Sequence, residues 1–239
     1  MSTSKRGVRF LSRWLAALFL MFVFLLPLPA GRAQDYDVDL ALVLAVDCSF
    51  SVDSREFKLQ MVGLGQAFMR KEVQKAIGQG SRQCIAVAVV QWSDENNQMT
   101  VLPWTIVSGA ADADELGLVL SNIPRSLAEG GTSISTALNY SASLFDFAPS
   151  AERRVIDVSS DGRNNIGAPV KPVRDRIVAR GITINGLAIL NEWPTLDTYF
   201  ELNVAGGNGH FVVPASDYDA YGDAIFMKLL REITGPGIT

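Results

Sequence analysis

Histidine is nearly absent from this sequence: the chain of 239 residues contains one, His210. A single histidine leaves little acid–base chemistry at neutral pH, because histidine is the side chain that ordinarily titrates there. No serine nucleophile elbow and no cysteine nucleophile accompanies it. We therefore expect His210 to be a plain residue at the start of a short strand, and we expect the protein not to be an enzyme.

Cysteine is scarce as well, with Cys48 and Cys84 only. Cys48 follows the first predicted strand, whereas Cys84 opens the next long one, so in a parallel pair the two residues lie at opposite ends. A disulfide needs Cα atoms within about 7 Å. Both thiols are therefore expected to be unpaired, and the lack of any paired His/Cys set argues against a zinc site.

Residues 1–33 are predicted to be a signal peptide. Basic residues precede an apolar run from Trp14 to Ala30, and the small residues Gly31 and Ala33 suit a cleavage site. Cleavage predicts export to the periplasm or the exterior of a bacterium, with no membrane insertion afterwards. The run of 17 residues is at the short end of what spans a bilayer, so an uncleaved anchor is the alternative.

The remaining residues, 34–239, are predicted to form a single acidic domain. Five of the 21 basic side chains lie in the first 33 residues, which leaves 16 against 25 acidic ones and a net charge of −9. Nucleic acids and anionic membranes require a basic face, so neither is expected as a partner. The oligomeric state is left open by the sequence.

The pattern of apolar residues predicts an α/β fold. Runs rich in β-branched residues alternate with stretches of helical period, which indicates a doubly wound, mostly parallel sheet with helices on both faces. The predicted strands are Val38–Val46, Ile85–Ser93, Thr100–Thr105, Arg154–Val158, Thr183–Ile189 and His210–Val213. The predicted helices are Ser54–Ile77, Ala113–Ile123, Ser133–Leu144, Val173–Arg180, Leu196–Ala205 and Tyr218–Glu232. Pro103 places the third strand at an antiparallel edge, where a missing backbone donor costs least.

Three polar segments carry oxygen ligands of one kind. They are Asp47-Cys48-Ser49-Phe50-Ser51, Gly130-Gly131-Thr132-Ser133 and Ser159-Ser160-Asp161-Gly162. Each taken alone is as readily a helix cap or a turn. Two of them end predicted strands, however, and the carboxyl ends of parallel strands meet at one edge of a sheet, where ligands bind at the point of reversed strand order. Two carboxylates and three hydroxyls favour magnesium, with manganese or calcium as alternatives.

These segments resemble the von Willebrand factor A domain, whose metal-ion-dependent adhesion site (MIDAS) consists of Asp-x-Ser-x-Ser, a threonine and an aspartate. The resemblance extends from about Val38 to Ile233. It implies that the metal ligands are Asp47, Ser49, Ser51, Thr132 and Asp161, with no substitution at any of the five. Further segments, among them Val155-Ile156-Asp157-Val158 before Ser159, resemble secreted bacterial A-domain proteins of unknown function.

The resemblance implies a binding module. A partner protein would complete the metal shell with an aspartate or glutamate, and loops around the site would supply specificity. The expected partner-binding rim is Arg163, Asn164, Asn165, Glu192 and Trp193. Two alternatives remain: a metal-dependent phosphoesterase, for which the sequence shows no general base, and a purely structural metal in a subunit of an envelope assembly.

Overall fold

A computed structural model describes residues 38–235, which include six strands and seven α-helices. The predicted signal peptide lies outside the described residues. The strands are β1 (Val38–Asp47), β2 (Ile85–Trp92), β3 (Gln98–Val107), β4 (Ala151–Ser160), β5 (Thr183–Ile189) and β6 (Val212–Ala215). The helices are α1 (Ser54–Met69), α2 (Lys71–Gln79), α3 (Ala110–Asn122), α4 (Ile134–Leu144), α5 (Val170–Ala179), α6 (Leu196–Asn203) and α7 (Tyr221–Thr234).

The strands form one sheet in the order β3-β2-β1-β4-β5-β6. All neighbouring pairs are parallel except β2 with β3, which confirms the predicted sheet with one antiparallel edge strand. The register of β2 with β3 is irregular between Val87 and Val89, opposite the part of β3 that contains Pro103. The missing N–H of Pro103 is tolerated there because no further strand pairs with that edge.

Helices cover both faces of the sheet because the central strand β1 is apolar on both of its faces. Leu40, Leu42 and Leu44 belong to a buried cluster with α1, α2, α3 and α7. Ala41 and Val43 belong to a second cluster with α4, α5 and α6. Successive side chains of a strand point to opposite faces, so a run without polar residues requires a layer of helices on each side.

Several predicted elements differ from the structure by two or three residues at an end, and two differences have an identifiable physical basis. The predicted helix Ser54–Ile77 is two helices, because Arg70 between them has an extended conformation (ψ 134°) and its guanidinium lies 4.1 Å from the ring centroid of Phe226. The last strand begins at Val212 rather than His210. The N–H of Phe211 donates to Asn185 Oδ1 (3.1 Å) rather than to the backbone of a neighbouring strand, so regular pairing starts later.

The chain order reverses between β1 and β4. From β1 the chain moves outward to β2 and β3, and from β4 it moves to β5 and β6 on the other side. Loops that leave the carboxyl ends of β1 and β4 therefore diverge and leave a crevice between them. Asp47 ends β1, and Asp161 directly follows β4, so the topology brings both carboxylates to this crevice as expected.

Within residues 38–235, no helix has the length and apolar character needed to cross a bilayer.

Candidate functional site

The first carboxylate of the site, Asp47, is fully buried and bound by its neighbours. Its Oδ1 accepts a hydrogen bond from the N–H of Ser49 (2.7 Å), which closes a tight turn after β1. Its Oδ2 accepts a short hydrogen bond from the hydroxyl of Ser160 on β4. Burial raises the pKa of Asp47 to about 7, and the negative charge of Asp161 acts in the same direction.

The second carboxylate, Asp161, is also fully buried and is reached by the first loop. Ser51 Oγ donates to Asp161 Oδ1 (2.6 Å), and Ser51 Oγ lies 3.3 Å from Ser49 Oγ. Burial raises the pKa of Asp161, against the lowering effect of the Ser51 and Tyr218 hydroxyls. No hydrogen bond of ordinary geometry reaches Asp161 Oδ2 or Tyr218 Oη. Among the described residues, the Tyr218 hydroxyl is thus a neighbour of Asp161, while Asp161 Oδ2 makes no hydrogen bond of ordinary geometry.

Thr132 lies beside Asp161 in space although it is far from it in sequence. A Cβ atom added to Gly162 would stand 3.4 Å from Thr132 Oγ1, so the hydroxyl lies against this part of the backbone. Asn165 holds Thr132 from the other side, with its Oδ1 accepting from the Thr132 N–H (2.9 Å). The backbone N–H of Phe50 donates to the carbonyl of Gly130 (2.9 Å) and joins the loop after β1 to the loop before α4.

The five predicted ligands thus come together at one edge of the sheet. They present two carboxylates and three hydroxyls, all oxygen donors of the kind that Mg²⁺, Mn²⁺ and Ca²⁺ prefer. Among the described residues, no group of three or more His, Cys, Asp or Glu side chains could hold a metal. The residues fit a divalent cation because, within residues 38–235, neither of the two buried carboxylates forms an ion pair with a basic side chain.

Arg125 contacts the candidate site, and it was not predicted from the sequence. Its guanidinium donates to the carbonyls of Val52 (2.7 Å), Cys48 (2.6 Å) and Ser49 (3.2 Å), and so fastens the loop that carries three of the predicted ligands. Arg125 follows α3 in a loop of no recognisable motif. The sequence carries no signal for this contact, since it joins residues more than 70 positions apart.

Ser160 and Phe50 were also missed, although both lie inside the quoted motifs. Ser160 orients Asp47 through its hydroxyl. Phe50 is 71% exposed in the middle of the Asp-x-Ser-x-Ser loop, while its neighbours Cys48 and Ser49 are buried. An exposed aromatic between two ligand positions could have been noticed from the sequence, because a loop that binds a partner often presents such a side chain.

The predicted rim residues divide into two kinds. Asn164 and Asn165 hold the loop after β4, since Asn164 Oδ1 accepts from the N–H of Ser135 (3.1 Å) and Asn165 binds Thr132. Arg163 lies over the ring of Trp193, with its guanidinium carbon 5.0 Å from the centroid. Trp193 remains 45% exposed. Burial, Asp161 and Glu56 raise the pKa of the neighbouring Glu192.

Among the described residues, neither cysteine forms a disulfide, as expected, and both are buried. Cys48 lies next to the site, where burial and the charge of Asp47 raise the pKa of its thiol to about 12. A thiol with so high a pKa is unreactive at neutral pH, so Cys48 contributes packing to the core cluster below the site.

Comparison with known proteins shows the family. The model of a family described as protein of unknown function (DUF1194) matches residues 37–237. The chain belongs to the DUF1194 family. No curated protein matches this DUF1194 chain by sequence.

Solved structures similar to this DUF1194 protein are of the von Willebrand factor A type. Proximal thread matrix protein 1 (PTMP1) from the mussel byssus, in a structure with a zinc-occupied MIDAS motif, has a TM-score of 0.63 at 17% identity, covering 83% of this chain and 48% of PTMP1. The pilus adhesin SpaC from Lactobacillus rhamnosus GG has a TM-score of 0.59 at 13% identity, covering 82% and 31%.

A von Willebrand factor type A protein from Catenulispora acidiphila has a TM-score of 0.55 at 18% identity, covering 82% of this chain and 43% of that one. The DUF1194 chain therefore spans about half the length of PTMP1 and less than half the length of each of the other two proteins. At these identities the likeness shows the fold and no more.

Proposed function

We propose that the protein is a binding module that holds a divalent cation, Mg²⁺ first, through Asp47, Ser49, Ser51, Thr132 and Asp161. The observation that carries the proposal is the pair of buried carboxylates without a counter-charge. The charge of Asp161 adds to the cost of ionising Asp47, and within the described residues Asp161 Oδ2 makes no hydrogen bond of ordinary geometry. A bound cation would supply the missing positive charge. The zinc-occupied MIDAS of PTMP1 supports a divalent ion on this fold.

We propose further that a partner protein completes the cation's shell with an aspartate or glutamate. Three of the five ligands are neutral hydroxyls, so the bound ion would keep net positive charge toward the outside. Two exposed aromatic residues, Phe50 and Trp193, and the cationic Arg163 stand around it. Such residues suit a protein surface that presents an acidic side chain. The adhesin SpaC, of the same fold, is compatible with this role.

Binding rather than catalysis is proposed because the geometry offers no histidine near the carboxylates. His210 precedes β6 and lies at the amino-terminal edge of the sheet, away from Asp47 and Asp161. We also propose export to the periplasm or the cell exterior, on the basis of the predicted signal peptide.

Calorimetric titration with MgCl₂ and MnCl₂ tests the cation site. Saturable binding is expected for the wild type and for Glu115→Gln, an exposed acid on α3 that serves as the charge-matched control. Asp47→Asn keeps the shape of the side chain and should abolish binding. Equal affinity in Asp47→Asn and the control would refute the assignment of the ligands.

The partner proposal needs a second experiment. Peptides containing a single Asp or Glu, and the same peptides with Asn or Gln, are titrated into the magnesium-loaded protein. Binding of the acidic peptides only, lost on addition of EDTA, is the expected result. If the protein binds the metal but its affinity for the peptides is the same with Asp or Glu as with Asn or Gln, the metal is structural and the binding-module proposal is refuted.

A further inference from the structure

A cavity of about 320 Å³ lies at the edge of the sheet opposite to the candidate cation site. It is formed where β4 and β5 begin, between the loop that precedes β6 and the end of α7. Residues 152–155 of β4 line this cavity and stand six to nine residues before Asp161; a strand rises by about 3.3 Å per residue, so the two places are roughly 20–30 Å apart. The cavity is therefore a separate feature.

Positive charge is concentrated around the cavity. Arg153, Arg154 and Arg231 line it, together with His210. The acidic lining residues are Glu152 and Glu232, and Glu232 is already paired with the buried Lys228 (2.6 Å). Residues 34–239 carry 16 basic and 25 acidic side chains, so their net charge is negative. A local cluster of arginines therefore differs in sign from the net charge of the domain.

Two of the arginines are held in place by backbone carbonyls at the cavity wall. Arg153 donates to the carbonyls of Glu232 (2.6 Å) and Ile233 (2.8 Å) in the last turn of α7. Arg154 donates to the carbonyl of Arg180 (2.5 Å). Each contact fixes the guanidinium without neutralising it, and a guanidinium has five N–H donors. Because the carboxylates of Glu152, Asp39 and Glu232 act on Arg153, Arg154 is the arginine of the two that offers its charge and remaining donors to another acceptor.

Arg231 stands over the ring of Phe211, with its guanidinium carbon 3.8 Å from the centroid. Between residues 38 and 235, no carboxylate pairs with Arg231. A stacked guanidinium is oriented but leaves its edge N–H groups available, which is the arrangement that recognises carboxylate and phosphate groups in two-point contacts. His210 next to Phe211 adds a ring nitrogen to the same wall. Its Nδ1 contacts the carbonyl oxygen of Gly207 (2.8 Å), whereas its Nε2 makes no hydrogen bond within residues 38–235.

We propose that this cavity binds a small anion bearing a carboxylate or phosphate group, held by the guanidinium groups of Arg154 and Arg231 beside His210. The volume is at the lower end of the range for small-molecule sites, which fits a compact ligand and not a polypeptide. The proposal is independent of the cation site, because no residue belongs to both.

The single histidine makes the test direct. In protein without a histidine tag, the ring proton signals of His210 report on the cavity alone. They are followed by NMR during titration with inorganic phosphate, and separately with acetate and succinate, at constant pH and constant ionic strength in a buffer without either anion. A saturable shift with at least one of these probes is expected, and the comparison shows whether phosphate or carboxylate is preferred.

Arg231→Gln is expected to weaken the binding of the preferred anion about tenfold or more, since it removes charged hydrogen bonds. Arg176→Gln, at an exposed position on α5 outside the cavity, removes the same charge and should leave the affinity unchanged. Arg154→Gln gives an independent second variant if Arg231→Gln is poorly folded. A shift that stays linear to high anion concentration, or an equal loss in Arg176→Gln, would overturn the proposal in favour of general charge screening.

Discussion

Replacing Lys228 with methionine is the perturbation whose effect the structure defines most closely. Lys228 lies on α7 with no exposed surface, and its Nζ is 2.7 Å from Asp157 Oδ2 and 2.6 Å from Glu232 Oε1. Both carboxylates are buried too. Lys228→Met keeps most of the volume of the side chain and leaves two buried carboxylates without a cation.

The expected cost follows from that burial. Removing one partner from a buried ion pair typically costs about 3–5 kcal/mol, because the remaining charge is neither solvated nor paired. We expect Lys228→Met to lower the free energy of unfolding by this amount at pH 8. For a domain of this size, the melting temperature should fall by about 6–20 °C.

The effect should depend on pH. Burial, and then the charge of Glu232, raise the pKa of Asp157 to about 7 in spite of Lys228. The folded state holds this proton more tightly than the unfolded chain does. The stability that Asp157 contributes is therefore greatest below its ordinary pKa of 3.8 and is lost as the pH rises to about 7. Without Lys228 the carboxylates would accept protons still more readily, so the deficit of the variant should be smaller at pH 5.5 than at pH 8.

Urea unfolding followed by tryptophan fluorescence at both pH values measures these free energies. The control is Arg55→Met, which breaks an ion pair of 2.6 Å whose side chains are 66% and 71% exposed. An exposed pair of this kind contributes about 1 kcal/mol or less. If Lys228→Met cost no more than Arg55→Met, or cost the same at both pH values, the argument from burial would be wrong.

Three further predictions concern the site and the core. Arg125→Met should weaken Mg²⁺ binding about tenfold and lower the free energy of unfolding by about 1–3 kcal/mol, because three loop carbonyls lose a charged donor. Calorimetry measures the Mg²⁺ affinity and urea unfolding measures the stability. Unchanged Mg²⁺ affinity would show that the loop keeps its conformation without Arg125. Gly186→Ala should cost about 1–3 kcal/mol in urea unfolding, since a Cβ there would lie 2.4 Å from Phe200 Cδ1; a neutral result would mean that the ring of Phe200 moves freely. Trp193→Ala should weaken binding of the acidic peptides at least tenfold while Mg²⁺ affinity stays constant, and a parallel loss of both would place Trp193 in the cation site instead.

Much of the fold could be predicted from local patterns. The runs 40–46 and 85–90 are apolar on both faces of the sheet, and the predicted bounds of β1, β2 and β5 agree with the structure to within a residue. Proline at position 103 correctly indicated an edge strand. These predictions succeed because strand burial on two faces excludes polar residues over a continuous stretch, which leaves a clear signal in sequence.

Helix boundaries were less predictable. The apolar spacing of Phe57, Met61 and Leu64 continues into Val73 and Ile77, so nothing in the pattern indicates a break at Arg70. At the break, the Arg70 guanidinium packs over the ring of Phe226 in α7, an element some 150 residues later. A contact between residues so far apart in the sequence leaves no mark in the local pattern of apolar residues, so that pattern does not indicate the break.

The sequence by itself determined the alternation of strands and helices and the identity of the oxygen-bearing residues at strand ends. It could do so because side-chain periodicity and ligand chemistry are local properties. Only the tertiary structure decided which groups meet: the Ser160 hydroxyl on Asp47, the Arg125 guanidinium on the first loop, and the arginines around the opposite cavity. Those contacts depend on the order of strands in the sheet and on desolvation, and both arise only when distant segments pack together.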